Sequence, residues 1–345
     1  MRGIARVGYG LLLVSTMSSR LTTAARNWIW ATCALAVLGG GAYWIHTQRT
    51  PPVPTIAFIP QTAGVMRWDV GYFGASVAAK EANAHISMSA PTSENDIAGQ
   101  ISLINRVVRG DYQGLIVAPN HPLAILSSLG RALAEGVPVV VVSSPLTIPA
   151  NGRLGYIEND DEEMGKLAAE EIAKRIEGRG DVAFIGLSWY APGVTQRARG
   201  ADRYLANRFP EIRVVSRVAS AYNPARAEEL ANETMDAQPR LKAILSLTSV
   251  STRGVNVALR RRHRVPRIQL VGCEQDSDLL VSVRSGEIAA VVAEDTYRMG
   301  HEAVEHVSAF RRGAPIPKRS LVSPIVITPQ NLDSHEVRRV TNPTQ

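Results

Sequence analysis

The sequence lacks the signatures of the common enzyme classes. It contains no G-x-S-x-G elbow, no G-x-x-x-x-G-K-[ST] phosphate loop and no H-E-x-x-H pair, which argues against the hydrolases, nucleotidases and zinc proteases that carry them. A G-x-G-x-x-G fingerprint after a strand is also missing, and the seven histidines show no metal-ligand spacing. We therefore expect no enzymatic activity, no cofactor and no metal.

Cysteine is scarce, since the chain has only Cys33 and Cys273. Cys33 lies in an apolar N-terminal run, so the folded part beyond it cannot contain an internal disulfide, and two distant cysteines cannot form a C-x-x-C pair. This excludes a disulfide-stapled scaffold and a zinc site built on cysteines.

Clustered positive charge is scarce as well, although the formal net charge is +7. Residues 1–50 hold five arginines and no acid; removing those five from the 38 basic residues leaves 33 against 31 acidic ones, a net of +2. The one basic cluster, at 260–264, ends a predicted helix, where cations are favoured by the helix dipole. We expect no nucleic-acid partner.

One long apolar run is present near the N-terminus. Residues 27–48 carry no charged side chain, and 28–45 are strongly apolar with aromatic residues at both ends. Eighteen helical residues span roughly 27 Å, enough for a bilayer core, and the preceding arginines place the N-terminus in the cytoplasm. The sequence predicts a transmembrane anchor at 27–48 after a cytoplasmic tail, or a mis-assigned start, at 1–26. A signal peptide cleaved near 39–42 is the alternative.

From residue 55 onward, apolar runs of strand length alternate with helical periods. Continuous apolar strands that are each followed by a helix imply parallel sheets covered on both faces. The strands are predicted at 55–59, 85–88, 114–117, 137–142, 181–187, 212–218, 241–247, 268–272, 288–293 and 320–328.

About ten such units exceed what one open sheet comfortably holds. We predict an α/β fold with two doubly wound parallel-sheet lobes joined by a hinge, preceded by the N-terminal transmembrane helix; a closed (β/α) barrel is the rival arrangement. The predicted divisions are a proline-rich linker at 49–54, lobe 1 at 55–157 and 295–322, lobe 2 at 158–294 and 323–334, and a tail at 335–345.

Polar and aromatic residues follow several strands, where ligands of open α/β sheets bind. In the first half these residues are Gln61, Arg67, Trp68, Asn120, Ser143 and Ser144. A tryptophan can stack on the apolar face of a sugar ring while its neighbours hydrogen-bond the ring's edge. Serine and asparagine at such points are also ordinary helix caps and turn formers.

Three charged residues stand out in the second half. Arg197 falls near the start of a helix, and an arginine can bind two ligand oxygens at once. Glu274 and Glu294 each follow an apolar strand, where a carboxylate can bridge two sugar hydroxyls. Paired carboxylates also permit acid/base catalysis, as in a glycosidase, although nothing else in the sequence supports that function.

The chain from about residue 55 to 334 resembles the type I periplasmic sugar-binding proteins of ABC transporters, the ribose-binding and lactose-repressor-like group. The segment 108–119 is similar to the family's R-G…G-L-I-V-x-P stretch, and 136–140 to its G-I-P-V-V strand. Weaker similarities in the same order lie at 55–75, 159–165, 197–200, 270–272, 285–288 and 324–328. The resemblance implies the type I periplasmic-binding fold.

The resemblance also implies a ligand held between the two lobes. The positions that match the family's binding residues are Gln61, Arg67, Trp68, Ser143, Ser144, Arg197, Tyr222, Thr248, Glu274 and Glu294. In this alignment Trp68 and Tyr222 would stack on the sugar ring from the two lobes, and Arg197 matches the family's ligand-binding arginine.

Several of these positions depart from the family's pattern. A serine pair stands at 143–144 where pentose binders carry Asp-Arg, and Thr248 stands where they carry asparagine. Cys273 and Glu274 replace an aromatic-aspartate pair, and Glu294 replaces a glutamine. Ribose is therefore not the expected ligand, and the two glutamates would suit a ligand with a cationic group.

The resemblance implies a receptor in the periplasm, and we expect a monomer that the N-terminal segment tethers to the inner membrane, or that is secreted if this segment is cleaved. It would close around a sugar or sugar-like solute and deliver it to the membrane permease of an ABC transporter. The alternative is a sensor whose closed form contacts a membrane signalling protein. A transcription regulator with this fold would need a helix-turn-helix where the apolar run lies.

Overall fold

The computed structural model describes residues 53–342 except 189–190, together with helical residues 27–28, 30–32 and 34–38. The chain divides into two compact units, residues 1–53 and 54–345. Most of the predicted anchor at 27–48, all of the segment 1–26 and Cys33 lie outside the described residues. Among the residues that are described, no helix has both the length and the apolar character needed to cross a membrane.

The second unit alternates strands and helices. In chain order its elements are β1 (Thr55–Ile59), α1 (Met66–Glu81), β2 (His85–Met88), α2 (Ile97–Arg109), β3 (Gly114–Val117), α3 (Leu126–Ala134), β4 (Val139–Ser143), β5 (Leu154–Asn159), α4 (Asp161–Arg175), β6 (Gly180–Leu187), α5 (Pro192–Arg208), β7 (Ile212–Ala219), α6 (Pro224–Ala237), β8 (Leu241–Ser246), α7 (Ser249–Arg261), β9 (Gln269–Cys273), α8 (Ser277–Arg284), β10 (Ala290–Ala293), α9 (Thr296–Arg311), β11 (Arg319–Val322), β12 (Ile325–Ile327) and α10 (His335–Thr341).

Lobe 1 is a six-stranded parallel sheet in the order β11-β5-β4-β3-β1-β2. Helices α1 and α9 cover one face and α2 and α3 the other, each over its own apolar core. The composition of β4 is typical of a central strand in a parallel sheet. Its four consecutive valines are all buried, so both faces of the strand need a covering layer.

Lobe 2 repeats this plan with the order β12-β10-β9-β8-β6-β7. Its two cores lie under α4 and α5 on one face and under α6, α7, α8 and α10 on the other. The expectation of a wholly parallel sheet is wrong at one edge, where β12 runs antiparallel to β10. The two separate sheets exclude the closed barrel.

The chain passes between the lobes three times, at 159–161, 294–296 and 322–325. Asp160 and Asp295 lie in the first two passages and cap the helices that follow, accepting hydrogen bonds from Glu163 N (3.0 Å) and Arg298 N (2.9 Å). The backbone N–H of Asp160 also donates to the Val322 carbonyl (3.0 Å), which joins the first passage to the third.

Three elements differ from the sequence-based prediction. β5 was not predicted, because Gly155 and Glu158 interrupt its apolar run; the strand is nevertheless fully buried, and Arg319 of β11 binds the Glu158 carboxylate. The strand predicted at 320–328 is two strands in different lobes, separated at Pro324. The segment predicted as a tail forms α10. This helix packs on lobe 2 because Val337 and Val340 are buried in the lobe 2 core.

Close helix packing within each lobe depends on glycine. A Cβ atom added to Gly165 of α4 would overlap the carbonyl oxygen of Arg197 in α5, and one added to Gly200 of α5 would overlap that of Glu162. The helices α1 and α9 of lobe 1 are equally close at Gly74. Backbone contacts this short leave no room for even a methyl group.

Gly165→Ala should therefore lower the free energy of unfolding by about 1–3 kcal/mol, the usual effect of overpacking. The matched control is Gly130→Ala in α3, where an added Cβ meets nothing within 4 Å and should stabilise the helix by about 0.5–1 kcal/mol. Urea denaturation of both variants measures the difference. Equal stability of Gly165→Ala and the unmodified protein would show that the two helices can separate freely.

Candidate ligand-binding site

Arg197 is the centre of the most connected group of predicted site residues. The residue is 4% exposed. Its guanidinium donates from Nε to Asp161 Oδ1 (2.7 Å), from Nη1 to Glu274 Oε1 (2.6 Å) and to the Leu247 carbonyl (3.0 Å), and from Nη2 to Glu294 Oε1 (3.0 Å). Four of its five N–H groups are thus engaged. The structure brings the predicted Arg197, Glu274 and Glu294 together.

Each carboxylate reaches Arg197 from a different element. Asp161 opens α4, Glu274 follows β9 and Glu294 follows β10, so all three lie at the carboxyl edge of the lobe 2 sheet. Glu274 has a φ of 69°, which turns the chain sharply after β9. Its second oxygen accepts a hydrogen bond from Ser249 N at the start of α7 (3.0 Å).

The electrostatics of the group are unbalanced, because one guanidinium faces three carboxylates. Burial raises the pKa of Glu294 to about 7, against the attraction of Arg197. Burial acts on Glu274 in the same direction, but Arg197 and Arg67 outweigh it and hold the pKa of Glu274 below its usual value. Within the described part of the chain, no three His, Cys, Asp or Glu side chains are arranged as a metal site.

Arg67 of lobe 1 is close enough for its charge to lower the pKa of Glu274. Its guanidinium lies 5.2 Å from the centre of the Trp68 ring. Nη2 donates to Gln61 Oε1 (3.2 Å) and to Glu94 Oε1 (2.9 Å). These contacts fix the guanidinium at the end of β1, where α1 begins.

The two predicted stacking residues differ in exposure. Trp68 is 2% exposed and belongs to the core cluster of lobe 1 that includes Ala118 and Val142, and its Nε1 has no hydrogen-bond partner among the described residues. Tyr222, in the loop after β7, is 51% exposed and has a φ of 54°. Tyr222 is therefore open to solvent, whereas Trp68 forms part of the wall beneath Arg67.

The remaining predicted residues lie at strand ends but make mostly internal contacts. Asn120 exchanges two hydrogen bonds with the buried side chain of Gln100 (2.9 and 3.2 Å). Thr248 is the N-cap of α7, its hydroxyl accepting from the backbone N–H of Ser251 (3.1 Å). Ser143 ends β4 with a φ of 71°, and Ser144 after it is exposed.

Sequence reasoning missed two residues that shape the Arg197 group. Asp161 was not predicted; it directly follows Asp160, the N-cap of α4. Gln275 makes two hydrogen bonds with the backbone of Glu294. Its Nε2 donates to the Glu294 carbonyl oxygen (2.8 Å), and its Oε1 accepts from the Glu294 N–H (3.0 Å). A signal for Gln275 was available, since it follows Glu274 directly at the end of β9.

Comparisons with known proteins agree with this architecture. A D-allose-binding periplasmic protein of Escherichia coli strain K12 is 22% identical over 263 residues, covering 72% of this chain and 84% of that protein. A ribose import binding protein of Bacillus subtilis strain 168 is 23% identical over 232 residues, covering 66% and 72%. An arabinose-binding protein from Geobacillus stearothermophilus has a similar fold, with a TM-score of 0.76 at 21% identity over 82% of this chain and 99% of that one.

A family-level match covers the same region of the chain. The model of the periplasmic binding protein domain matches residues 56–314, which is more than half of the chain. Its span takes in β1 to α9, and with them the whole Arg197 group. The chain therefore belongs to the periplasmic binding protein family.

Proposed function

We propose that this protein is an extracytoplasmic receptor that closes around a sugar or sugar-like solute and presents it to the permease of an ABC importer. The observation that carries the proposal is the Arg197 group at the carboxyl edge of lobe 2, facing Arg67 of lobe 1, in a chain of this family. The E. coli and B. subtilis relatives are named for D-allose binding and for ribose import, which supports a carbohydrate ligand.

The site residues have complementary roles in this proposal. Glu294 and the remaining N–H of Arg197 would hydrogen-bond ligand hydroxyls, and Tyr222 would cover the ring from the lobe 2 side. Arg67, backed by Trp68, would complete the site from lobe 1. Binding favours the closed arrangement because only there does the ligand contact both lobes.

The same geometry supports binding without turnover. A glycosidase needs one carboxylic acid and one carboxylate placed on either side of the scissile bond. Here Glu274 and Glu294 both bind the guanidinium of Arg197, on adjacent nitrogens. They are held as acceptors around one cation, which is an arrangement suited to recognition.

We further propose that residues 27–48 export the chain and either tether it to the inner membrane or are removed. The support is the uncharged run itself and the exposed apolar side chains of the described helical residues, Trp28, Trp30, Leu35, Val37 and Leu38. After expression in a bacterial host, the exported protein should be sequenced from its N-terminus. We expect either the original N-terminus, which indicates a tether, or a new N-terminus near residue 43, which indicates cleavage. Protein confined to the cytosol would contradict export.

A thermal-shift screen tests the receptor function directly. A ligand present at a hundred times its dissociation constant stabilises the folded protein by about 2.7 kcal/mol, so a selective rise in melting temperature identifies the solute. Tyr222→Ala should weaken binding of that solute by about 0.5–1.5 kcal/mol, the typical value of an aromatic contact, without lowering the melting temperature of the free protein.

The control for this variant is Val281→Ala, which truncates an exposed apolar residue on α8 and should leave affinity unchanged. If Tyr222→Ala binds as well as the unmodified protein, the loop after β7 does not line the site. If no monosaccharide, polyol or related solute shifts the melting temperature, the receptor function itself is contradicted.

Arg197→Lys should destabilise the ligand-free protein. A lysine retains the charge, but its single nitrogen cannot reach three carboxylates at once. We expect a loss of about 1.5–3 kcal/mol, the contribution of at least one hydrogen bond to a charged group. Arg199→Lys is the matched control, because Arg199 is exposed and forms an ion pair with Glu162 across the helix pair. Equal denaturation midpoints for the two variants would show that the group at Arg197 is not a stabilising unit.

A further inference from the structure

The charge imbalance around Arg197 limits what the cleft can accept. Asp161, Glu274 and Glu294 all bind this one guanidinium. Arg67 is the other cation whose charge acts on both glutamates, and it is itself paired with a further carboxylate, that of Glu94. Carboxylates therefore outnumber guanidinium groups around Arg197, and Arg67 is already paired with the exposed Glu94.

Among the three carboxylates around Arg197, Asp161 and Glu294 each have one oxygen that accepts no hydrogen bond from the described residues, and Glu294 is the more buried of the two. Glu274 uses both oxygens, on Arg197 and on Ser249 N, and Asp161 Oδ1 accepts from Asn159 Nδ2 (2.9 Å) as well as from Arg197. Glu294 is 7% exposed and uses only Oε1, while its other oxygen accepts no hydrogen bond from the described residues.

A second buried acceptor belongs to the same network. Asn159 is 4% exposed, and its Oδ1 has no partner among the described residues although its Nδ2 binds Asp161. The site therefore lacks hydrogen-bond donors and positive charge, and has acceptors in excess. Buried acceptors and carboxylates without partners are unfavourable, so the ligand is expected to supply what is missing.

A neutral sugar supplies donors but no charge, whereas an ammonium group supplies three donors and one positive charge. Building on the receptor function proposed above, we propose that the natural ligand is an amino sugar or amino-polyol whose primary ammonium group is received by Glu294. The hydroxyl groups would use the remaining N–H of Arg197, and the ring or carbon chain would lie against Tyr222.

The inference has a consequence for pH that a neutral ligand would not share. Burial raises the pKa of Glu294 to about 7, and the charged groups that face it are Arg197, Glu274, Asp161 and Arg67. An adjacent ammonium group favours the ionised carboxylate, so binding near pH 7 should release a proton. Affinity for the amine should accordingly fall as the pH drops from 7.5 to 5.5, because Glu294 must then lose a proton to bind.

The experiment is isothermal titration of the exported protein with 2-amino-2-deoxy sugars and 1-amino-1-deoxy polyols, each beside its neutral parent and its N-acetyl derivative. At pH 7.5 we expect the amine to bind at least tenfold more tightly than either. Titration in two buffers with different ionisation enthalpies should show proton release. Glu294→Gln should remove both the preference and the proton release, whereas Glu305→Gln, an exposed change on α9, should alter neither.

The stability of the Glu294→Gln variant should also depend on pH in a predictable way. The raised pKa of Glu294 favours the folded state below the ordinary glutamate pKa of about 4.5, and this contribution is lost as the pH rises through about 7. Glutamine at position 294 does not ionise, so the variant does not lose this stabilisation. The difference in melting temperature between the variant and the unmodified protein should therefore grow in the variant's favour between pH 4.5 and 8. Should the variant not fold, the pH dependence and proton release of the unmodified protein still decide the inference.

The outcomes separate the two proposals. Neutral sugars that bind as tightly as their amines, with no proton release, would overturn the ammonium inference and leave the receptor function intact. If neither amines nor neutral sugars give a binding signal, the result would count against the receptor function itself. A preference for amines that persists in Glu294→Gln would overturn the assignment of Glu294.

Discussion

The site depends on the four hydrogen bonds of one buried guanidinium. Arg197 of α5 joins the first residue of α4, the loop before α7 and the residues after β9 and β10. These elements come from distant parts of the chain, and their only common point is the carboxyl edge of the lobe 2 sheet. Because a planar guanidinium directs its donors along fixed lines, it fixes the positions of its partners relative to one another.

The packing of lobe 2 and the geometry of its site are therefore linked. α4 supplies Asp161 and α5 supplies Arg197, and the two helices approach closely because Gly165 and Gly200 lack side chains where the backbones meet. A larger residue at either glycine would separate the carboxylate from the guanidinium as well as the helices. The small residues on this face are thus a requirement of the binding site as much as of the core.

Much of the fold could be predicted from the sequence, because buried parallel strands are long apolar runs and each is followed by a helix. β5 could not, since its Glu158 is acceptable in a buried strand only with Arg319 beside it, and that partner lies far along the chain. The same limit applies to the site. Arg197 and Glu294 were predicted from their positions after turns and strands, but Trp68 and Thr248 in similar positions serve the core and a helix cap.

The two lobes would contribute differently to recognition in the proposed site. On lobe 1, the amide of Gln61 donates to the Pro119 carbonyl (2.9 Å) and that of Asn120 binds Gln100, so these polar groups are already satisfied within the lobe. On lobe 2, Glu294 retains a free acceptor and the carboxylates outnumber the guanidinium. A solute gains more from lobe 2 than from lobe 1, and we expect it to bind lobe 2 first. In the proposed mechanism, closure would then add Arg67 and the wall formed by Trp68, which would exclude water and strengthen the charged contacts already made.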